Sequence, residues 1–272
     1  MAQGLKTNHV DRRENFAIED TVQFMLKLAH SQGYPVGKES KVLDFGCGIG
    51  DSVNYLVENG YDAYGVDVME YWSADFENYW EKREKPAPEN CERLSRVDMA
   101  NYRIPFPDET FDFIFSDTVF EHVFNYEMAL SEINRVLKKG KLSIHMFPSA
   151  LCFKEPHIFV PIVPLCKKNW WLKIWALAGI RGPWQKNLNW RETVIANAGH
   201  LKTTNYLPKA KILEMAKSAD LKISFIGGPM PLNHLSSRSR KIHGFLNKFG
   251  AGDFATSLVR PFVSGRLMVL KK

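Results

Sequence analysis

Hydrophobic positions along the first half of the chain alternate between short apolar runs and helical spacing. Runs typical of buried strands occupy Lys41–Phe45, Tyr61–Val68, Leu94–Val97, Phe111–Ser116 and Leu142–Phe147. Helical spacing predicts helices over residues 14–32, Ser52–Asn59 and Tyr126–Leu137, an aromatic-rich helix that runs through Trp80, a loop over Glu81–Asn90 and a turn at Lys138–Lys141. Strands that alternate with helices predict a parallel sheet covered on both faces.

This alternation stops between Pro148 and Tyr206, where the chain is rich in Trp and Pro and shows no strand period. We interpret this stretch as an inserted lid or substrate-binding region that follows the fifth strand. Regular spacing returns with a helix over Pro208–Ala219 and strands over Lys222–Ile226 and Val263–Leu270. We therefore expect a single domain over residues 1–272, with a helical segment (1–37), a ligand-binding core (38–147), the insertion (148–206) and a part that completes the sheet (207–272).

Composition is that of an ordinary soluble protein, with 45% hydrophobic and 24% charged residues. The formal net charge is +6, but Lys and Arg do not form runs that alternate with aromatics, so we expect no nucleic-acid partner. The four cysteines lack a CxxC pair, which favours thiols in a reducing compartment over disulfides or structural zinc. Because the first residues contain no apolar signal segment, a cytoplasmic location is expected.

A glycine-rich turn carries the main chemical signal. The sequence VLDFGCGIG spans Val42–Gly50, after a predicted strand and before a predicted helix. Ligands of open α/β sheets bind where such turns lie. A dinucleotide site would have G-x-G-x-x-G, whereas here the spacing is G-x-G-x-G, with Asp51 at the place of the third glycine. Asp44 precedes the turn, and its carboxylate would repel a pyrophosphate but suits an ammonium group such as that of S-adenosylmethionine.

Two more acids follow the next two strands. Asp67 ends the second strand, where a carboxylate can accept hydrogen bonds from both ribose hydroxyls. Asp98 follows the third strand and could accept a bond from an adenine amino group. Taken singly, each acid could be a helix cap or a solvated loop residue. Acids after three successive strands, in the order amino-acid end, ribose and adenine, favour a cofactor site.

With these residues the chain resembles the class I S-adenosylmethionine-dependent methyltransferases, in particular the type 11-like group that acts on small molecules. VLDFGCGIG, GVDV and RVDM are similar to the first three motifs of that family. FDFIFSD with VFEHV is similar to its fourth-strand segment, and INRVLKKG to the helix and turn that follow. The resemblance covers about residues 40–147 and resumes weakly over 206–219 and in the last strand. At Gly140-Lys141 the family usually has two glycines, so a local change of turn is expected.

The resemblance implies a Rossmann-like α/β fold: a seven-stranded, mostly parallel sheet with helices on both faces, an antiparallel last strand and an inserted lid after the fifth strand. It also implies S-adenosylmethionine as the cofactor. The expected cofactor-binding residues are Asp44, Gly46, Cys47, Gly48, Gly50, Asp67, Val68, Asp98, Met99 and Ser116. Since this cofactor carries its own activated methyl group, no metal is expected.

A hydroxyl acceptor would need a general base, and histidine has a suitable pKa. His157, in the insertion, and His122, after the fourth strand, are the catalytic candidates. His145 lies inside the fifth strand, where a structural role is the better interpretation.

We therefore predict methyl transfer to an oxygen, less readily a nitrogen, of a small metabolite or sugar-like acceptor. One alternative is a lipid-linked acceptor at a membrane surface, because the insertion's tryptophans with Lys167, Lys168 and Lys173 suit a peripheral membrane contact. Another alternative is a cofactor-binding regulatory or scaffold protein without catalysis. A nicotinamide-dependent oxidoreductase is disfavoured by the turn, and the oligomeric state is not predicted.

Overall fold

The computed structural model describes residues 18–72, 91–149, 155, 157–163, 166–226 and 265–272. The chain divides into two compact units, one that contains residues 17–147, 207–231 and 266–272 and one that contains 1–16, 148–206 and 232–265. We call the first the sheet unit and the second the insertion unit. The predicted aromatic helix through Trp80, the loop over Glu81–Asn90 and the start of the first predicted helix, at 14–17, lie outside the described residues.

Seven strands form the sheet: β1 Lys41–Phe45, β2 Asp62–Asp67, β3 Leu94–Arg96, β4 Phe111–Asp117, β5 Leu137–Pro148, β6 Lys222–Ile226 and β7 Gly265–Lys271. Their order across the sheet is β3-β2-β1-β4-β5-β7-β6. The pairs among β1 to β5 are parallel, whereas β6 and β7 are antiparallel. The predicted seven-stranded, mostly parallel sheet is therefore confirmed.

In the described part of this unit, the helices that pack on the sheet are α1 Ile18–Ser31, α2 Asp51–Glu58, α3 Tyr126–Val136 and α6 Lys209–Ser218. Side chains of a strand point alternately to opposite faces, so Val42 and Leu43 of β1 enter different hydrophobic clusters. Leu43 packs in the cluster that includes Ile133 of α3 and Ile212 of α6. Val42 packs in the cluster that includes Met25 of α1. Both faces of the sheet are thus covered, as expected.

The predicted turn at Lys138–Lys141 is wrong in one respect, because the structure includes these residues in β5. Phe111 pairs with Leu137, yet Phe113 pairs with Leu142, so β5 bulges outward between the two pairs. Lys138 Nζ lies 2.7 Å and Lys141 Nζ 3.3 Å from the Asp112 carboxylate, which ties the bulge to β4. The chain does bend here, but it returns to the same strand.

Among its described residues, the insertion unit contains the helices α4 Asn169–Leu177 and α5 Trp190–Lys202, which pack together. Its hydrophobic cluster includes Leu172 and Leu201, with Trp171, Trp175 and Trp184 packed against it. These tryptophans therefore pack within the insertion unit. Within the part of the chain that the structure describes, no helix is both long and apolar enough to traverse a bilayer.

Candidate active site

The glycine-rich turn connects β1 to α2 and is held against β2 by backbone hydrogen bonds. The N–H groups of Gly46 and Cys47 donate to the carbonyl of Val66 over 2.7 and 3.0 Å. Gly46, Gly48 and Gly50 all have positive φ, at 84°, 55° and 87°. A Cβ on Gly46 would lie 2.3 Å from Val119 Cγ2, and one on Gly50 2.7 Å from Leu94 Cδ1. The glycines are therefore required by the fold as well as by any ligand that approaches the backbone.

The carboxylate of Asp67 is hydrogen-bonded to this turn. Its Oδ2 accepts the Gly48 N–H over 2.8 Å, and its Oδ1 accepts the N–H of Met69 over 3.2 Å. A carboxylate oxygen can accept more than one hydrogen bond, so these contacts are compatible with ribose hydroxyls as further donors. Val68 follows and is half-buried. The structure thus brings Asp67, Val68 and the turn together, as the sequence predicts.

Asp98 lies at the neighbouring strand end. The Val97 N–H donates to the carbonyl of Asp67 over 2.8 Å, which joins the ends of β2 and β3. The Asp98 carboxylate accepts the N–H of Ala100 over 2.9 Å and is exposed, as is the side chain of Met99. Both residues are accessible to a ligand at this edge of the sheet.

Asp44 differs from the other two acids because it is buried within β1, on the same face as Val42. Buried carboxylates suit positively charged partners. The site therefore offers a buried acid, an acid bonded to the turn and an exposed acid beside glycine backbone. These three hydrogen-bond acceptors fit the ammonium, ribose and adenine groups of S-adenosylmethionine.

Ser116 and His145 are fully buried in the sheet. Ser116 Oγ lies 2.8 Å from His145 Nδ1, and Ser143 Oγ lies 2.9 Å from His145 Nε2. Burial lowers the pKa of His145 to about 3, so its ring is neutral near pH 7. His145 is a structural core residue. The cofactor role of Ser116 stays a prediction, and its hydroxyl is engaged with His145.

His122 lies between β4 and the predicted helix, which starts at Tyr126 as expected. It ends a 3₁₀ turn at Phe120–His122. Asn125 caps α3, because its side chain accepts the Met128 N–H, and this cap fixes the start of the helix at Tyr126. His122 is half-buried, and its role as a base stays a prediction.

His157, in the insertion unit, is oriented by a residue that sequence reasoning missed. The side chain of Glu155 is fully buried, and its Oε1 lies 2.8 Å from His157 Nδ1. Tyr206 donates its hydroxyl hydrogen to the same oxygen over 2.6 Å. Glu155 Oε2 accepts the backbone N–H groups of His157 and Ile158, each over 2.7 Å. This buried acid thus receives hydrogen bonds at both oxygens.

These contacts determine which ring nitrogen of His157 carries the hydrogen. Burial by itself would raise the pKa of Glu155, but hydrogen bonds and charges from His157 and His200 outweigh it and hold the pKa well below its usual value. An ionised carboxylate only accepts hydrogen bonds, so His157 Nδ1 must carry the hydrogen. In the neutral ring Nε2 is then the acceptor. His200 Nε2 lies 3.5 Å from Glu155 Oε1, and the two histidine rings are 4.7 Å apart between centroids.

The sheet order, with β7 between β5 and β6 and antiparallel to β6, is that of the Rossmann-like fold of class I S-adenosylmethionine-dependent methyltransferases. Residues 43–144 match the family model of a methyltransferase domain. The structure of an S-adenosylmethionine-dependent methyltransferase from Mesorhizobium loti superposes with a TM-score of 0.54 at 12% identity, and covers 95% of this chain and 99% of that one. At this identity the likeness supports the fold alone.

Two curated relatives align with the core. The sterol 24-C-methyltransferase ERG6B of Gibberella zeae is 34% identical over 114 residues, which is 42% of this chain and 28% of the relative. The sarcosine/dimethylglycine N-methyltransferase of Halorhodospira halochloris is 31% identical over 120 residues, 44% of this chain and 40% of the relative. The chain thus matches less than half the length of either relative.

Proposed function

We propose that this protein is an active S-adenosylmethionine-dependent methyltransferase that methylates an oxygen, less readily a nitrogen, of a small metabolite or sugar-like acceptor. The two curated relatives are named for transfer to carbon and to nitrogen, so the acceptor atom must be argued from this chain's own residues. The observation that carries the choice of oxygen is the hydrogen bond between His157 and the buried Glu155. A cytoplasmic location and the absence of a nucleic-acid partner stay predictions.

In the sheet unit, the residues of the turn hold the cofactor. S-adenosylmethionine, when bound, supplies a methyl group on a sulfonium, which needs no further activation. We assign the ammonium group to Asp44, the ribose hydroxyls to Asp67 and the adenine amino group to Asp98. Gly46, Cys47, Gly48 and Gly50 would contribute backbone contacts, and Val68, Met99 and Ser116 would complete the lining.

In the insertion unit, His157 would act as the general base that removes the proton of the acceptor hydroxyl. A hydroxyl is a poor nucleophile until its proton is removed, whereas a neutral amine can attack with its lone pair. His157 Nε2 accepts the hydroxyl proton in this proposal, and the Glu155 carboxylate stabilises the imidazolium that forms. His122 is the second candidate for the same role.

Cofactor binding is tested by calorimetric titration with S-adenosylmethionine and S-adenosylhomocysteine, beside NADH. We expect saturable binding of the first two, and loss of that binding in Asp67→Asn. Asp108→Asn is the matched control, because it removes an exposed carboxylate of the same unit that pairs with Arg135. Binding of NADH alone, or equal affinity in Asp67→Asn and the wild type, would contradict the cofactor assignment.

The acceptor is tested by following S-adenosylhomocysteine release with paired alcohols and amines of the same carbon skeleton. His157→Gln should lower kcat with alcohols by about 10²-fold or more while cofactor affinity is retained. The matched control is His30→Gln, since His30 is exposed on α1. Unchanged turnover in His157→Gln would exclude His157 as the base, and His122→Gln then tests the second candidate. Cofactor binding without turnover on any acceptor would instead favour the non-catalytic alternative.

A further inference from the structure

Helix α4 of the insertion unit exposes a stripe of large apolar side chains. Trp170, Ile174 and Leu177 are 58%, 48% and 58% exposed. Their spacing of four and three residues places them on one face of the helix. Leu172 and Ala176, on another face, are buried, and Leu172 belongs to the insertion's hydrophobic cluster. The exposed stripe is therefore additional to the residues that fold α4 onto its own unit.

Trp170 is held in position although it is exposed. Its ring meets the ring of Trp171 edge to face, with centroids 5.6 Å apart. Trp171 in turn donates its Nε1–H to the carbonyl of Pro161 over 2.7 Å. A large amphipathic ring is thus presented from a fixed support, which lowers the entropy lost when it enters a binding surface.

The charge of the chain is concentrated in the same region. Residues 148–206 contain eight Lys or Arg and two acidic residues, so their excess of six equals the formal net charge of +6 of the whole chain. Lys167 and Lys168 directly precede α4 and Lys173 lies within it, and all three are exposed. Outside this region acidic and basic residues balance.

We propose that the α4 face docks reversibly on an anionic membrane surface. Trp170 suits the headgroup level, Ile174 and Leu177 would enter the acyl boundary, and Lys167 and Lys168 would lie near lipid phosphates. The charge decides between a membrane and a protein partner, because lysine is depleted in protein–protein interfaces but is attracted to anionic lipid. The stripe is only about 10 Å long at the rise of an α-helix, so binding depends on the anionic lipid as well as on apolar burial.

The test is co-sedimentation of the full chain with vesicles of phosphatidylcholine alone and of phosphatidylcholine mixed with phosphatidylserine. We expect binding to the mixed vesicles, weakened by salt, and little to the neutral ones. Replacing Trp170→Ser together with Ile174→Ser should lower the bound fraction about 10-fold. Leu213→Ser is the control, since Leu213 is an exposed apolar residue of α6 in the sheet unit (38% exposed).

The proposal would be overturned by a lack of sedimentation with anionic vesicles, or by equal sedimentation of the double variant and the wild type. Concentration-dependent self-association without lipid, abolished by the same double variant, would assign the stripe to a contact between copies of this chain and would also overturn it. Calorimetric binding of S-adenosylmethionine by the double variant verifies that the chain has folded. The proposal does not depend on the acceptor or on catalysis.

Discussion

The turn of the sheet unit and the histidine cluster of the insertion unit use acidic residues in opposite ways. Asp67 and Asp98 lie at strand ends where they are half-buried or exposed. Glu155 is fully buried and receives bonds from within its own unit at both oxygens. An acid that accepts hydrogen bonds from neutral ligand groups can remain accessible, as Asp67 and Asp98 do, whereas an acid that orients a neighbouring side chain is most effective when water is excluded. In the proposed function, the first is a binding region and the second a positioning region.

The starts of the helices differ in the same sense. Helix α2 has Gly50 at its N-cap, and glycine has no side chain to cap the first N–H groups. Helix α5 begins with a capping box, in which the Asn189 side chain accepts the Glu192 N–H and the Glu192 carboxylate accepts the Asn189 N–H. The insertion thus stabilises its helix with local side-chain bonds, whereas no side chain caps the first turn of α2.

The largest effect is expected at Glu155. In Glu155→Gln the amide presents a donor or an uncharged acceptor to His157, so the ring can adopt the tautomer that leaves Nε2 protonated. We expect kcat with a hydroxyl acceptor to fall by about 10²- to 10⁴-fold. The affinity for S-adenosylmethionine, measured by calorimetry, should remain within about twofold, and the pH profile of kcat should shift. If the variant lost cofactor affinity instead, the division into a binding and a positioning region would be wrong.

Gly46→Ala should destabilise the backbone of the glycine-rich turn. The alanine would have to adopt a positive φ, and its Cβ would meet Val119, so we expect a loss of about 3 kcal/mol in the free energy of unfolding. Gly60→Ala is the matched control, because Gly60 also has a positive φ (80°) but its Cβ would meet nothing within 4 Å. That variant should lose only about 1 kcal/mol. Denaturant unfolding measures both, and equal losses would show that Val119 does not restrict the turn.

His145 gives the sheet unit a pH dependence of stability. Its folded pKa of about 3 lies below the unfolded value of 6.5, so only the unfolded state takes up a proton between these values. Stability is therefore full above about pH 6.5 and should fall by up to about 1.4 kcal/mol per pH unit as the pH decreases. Denaturant unfolding between pH 6.5 and 5 should show a flatter slope for His145→Gln than for the wild type. His30→Gln should keep the wild-type slope, and a wild type without any slope would refute the prediction.

The smallest effect concerns the capping box of α5. Asn189→Ala removes a side-chain acceptor for the first turn of the helix and should cost about 1 kcal/mol in the free energy of unfolding. Asn189→Asp, which keeps the acceptor, should retain most of the stability. If the alanine variant had the same free energy of unfolding as the wild type, the capping box would not stabilise the insertion, contrary to the comparison.

The sequence predicts the sheet well because apolar runs bounded by breakers coincide with strands; β1 and β6 have the predicted bounds. The acids after β2 and β3 were found because strand ends can be recognised from such runs. Glu155 could not be found in this way, since nothing in its neighbours tells a buried carboxylate from a solvated one. Its only signal is an acid two residues before a candidate histidine. The bulge at Lys138–Lys141 is not predictable from the sequence for a related reason, because its ion pairs with Asp112 depend on a strand that is distant in the sequence.

The position of β7 between β5 and β6 has a consequence for synthesis on the ribosome. When β5 emerges, its outer edge has no neighbour, and β6 cannot supply one because it pairs with β7. More than a hundred residues separate Pro148 from Gly265, so at ordinary translation rates the edge stays open for roughly ten seconds. An open edge strand can pair with other chains, so the nascent protein should depend on chaperones during this interval. Refolding of the finished chain avoids this delay, because β7 is present from the start.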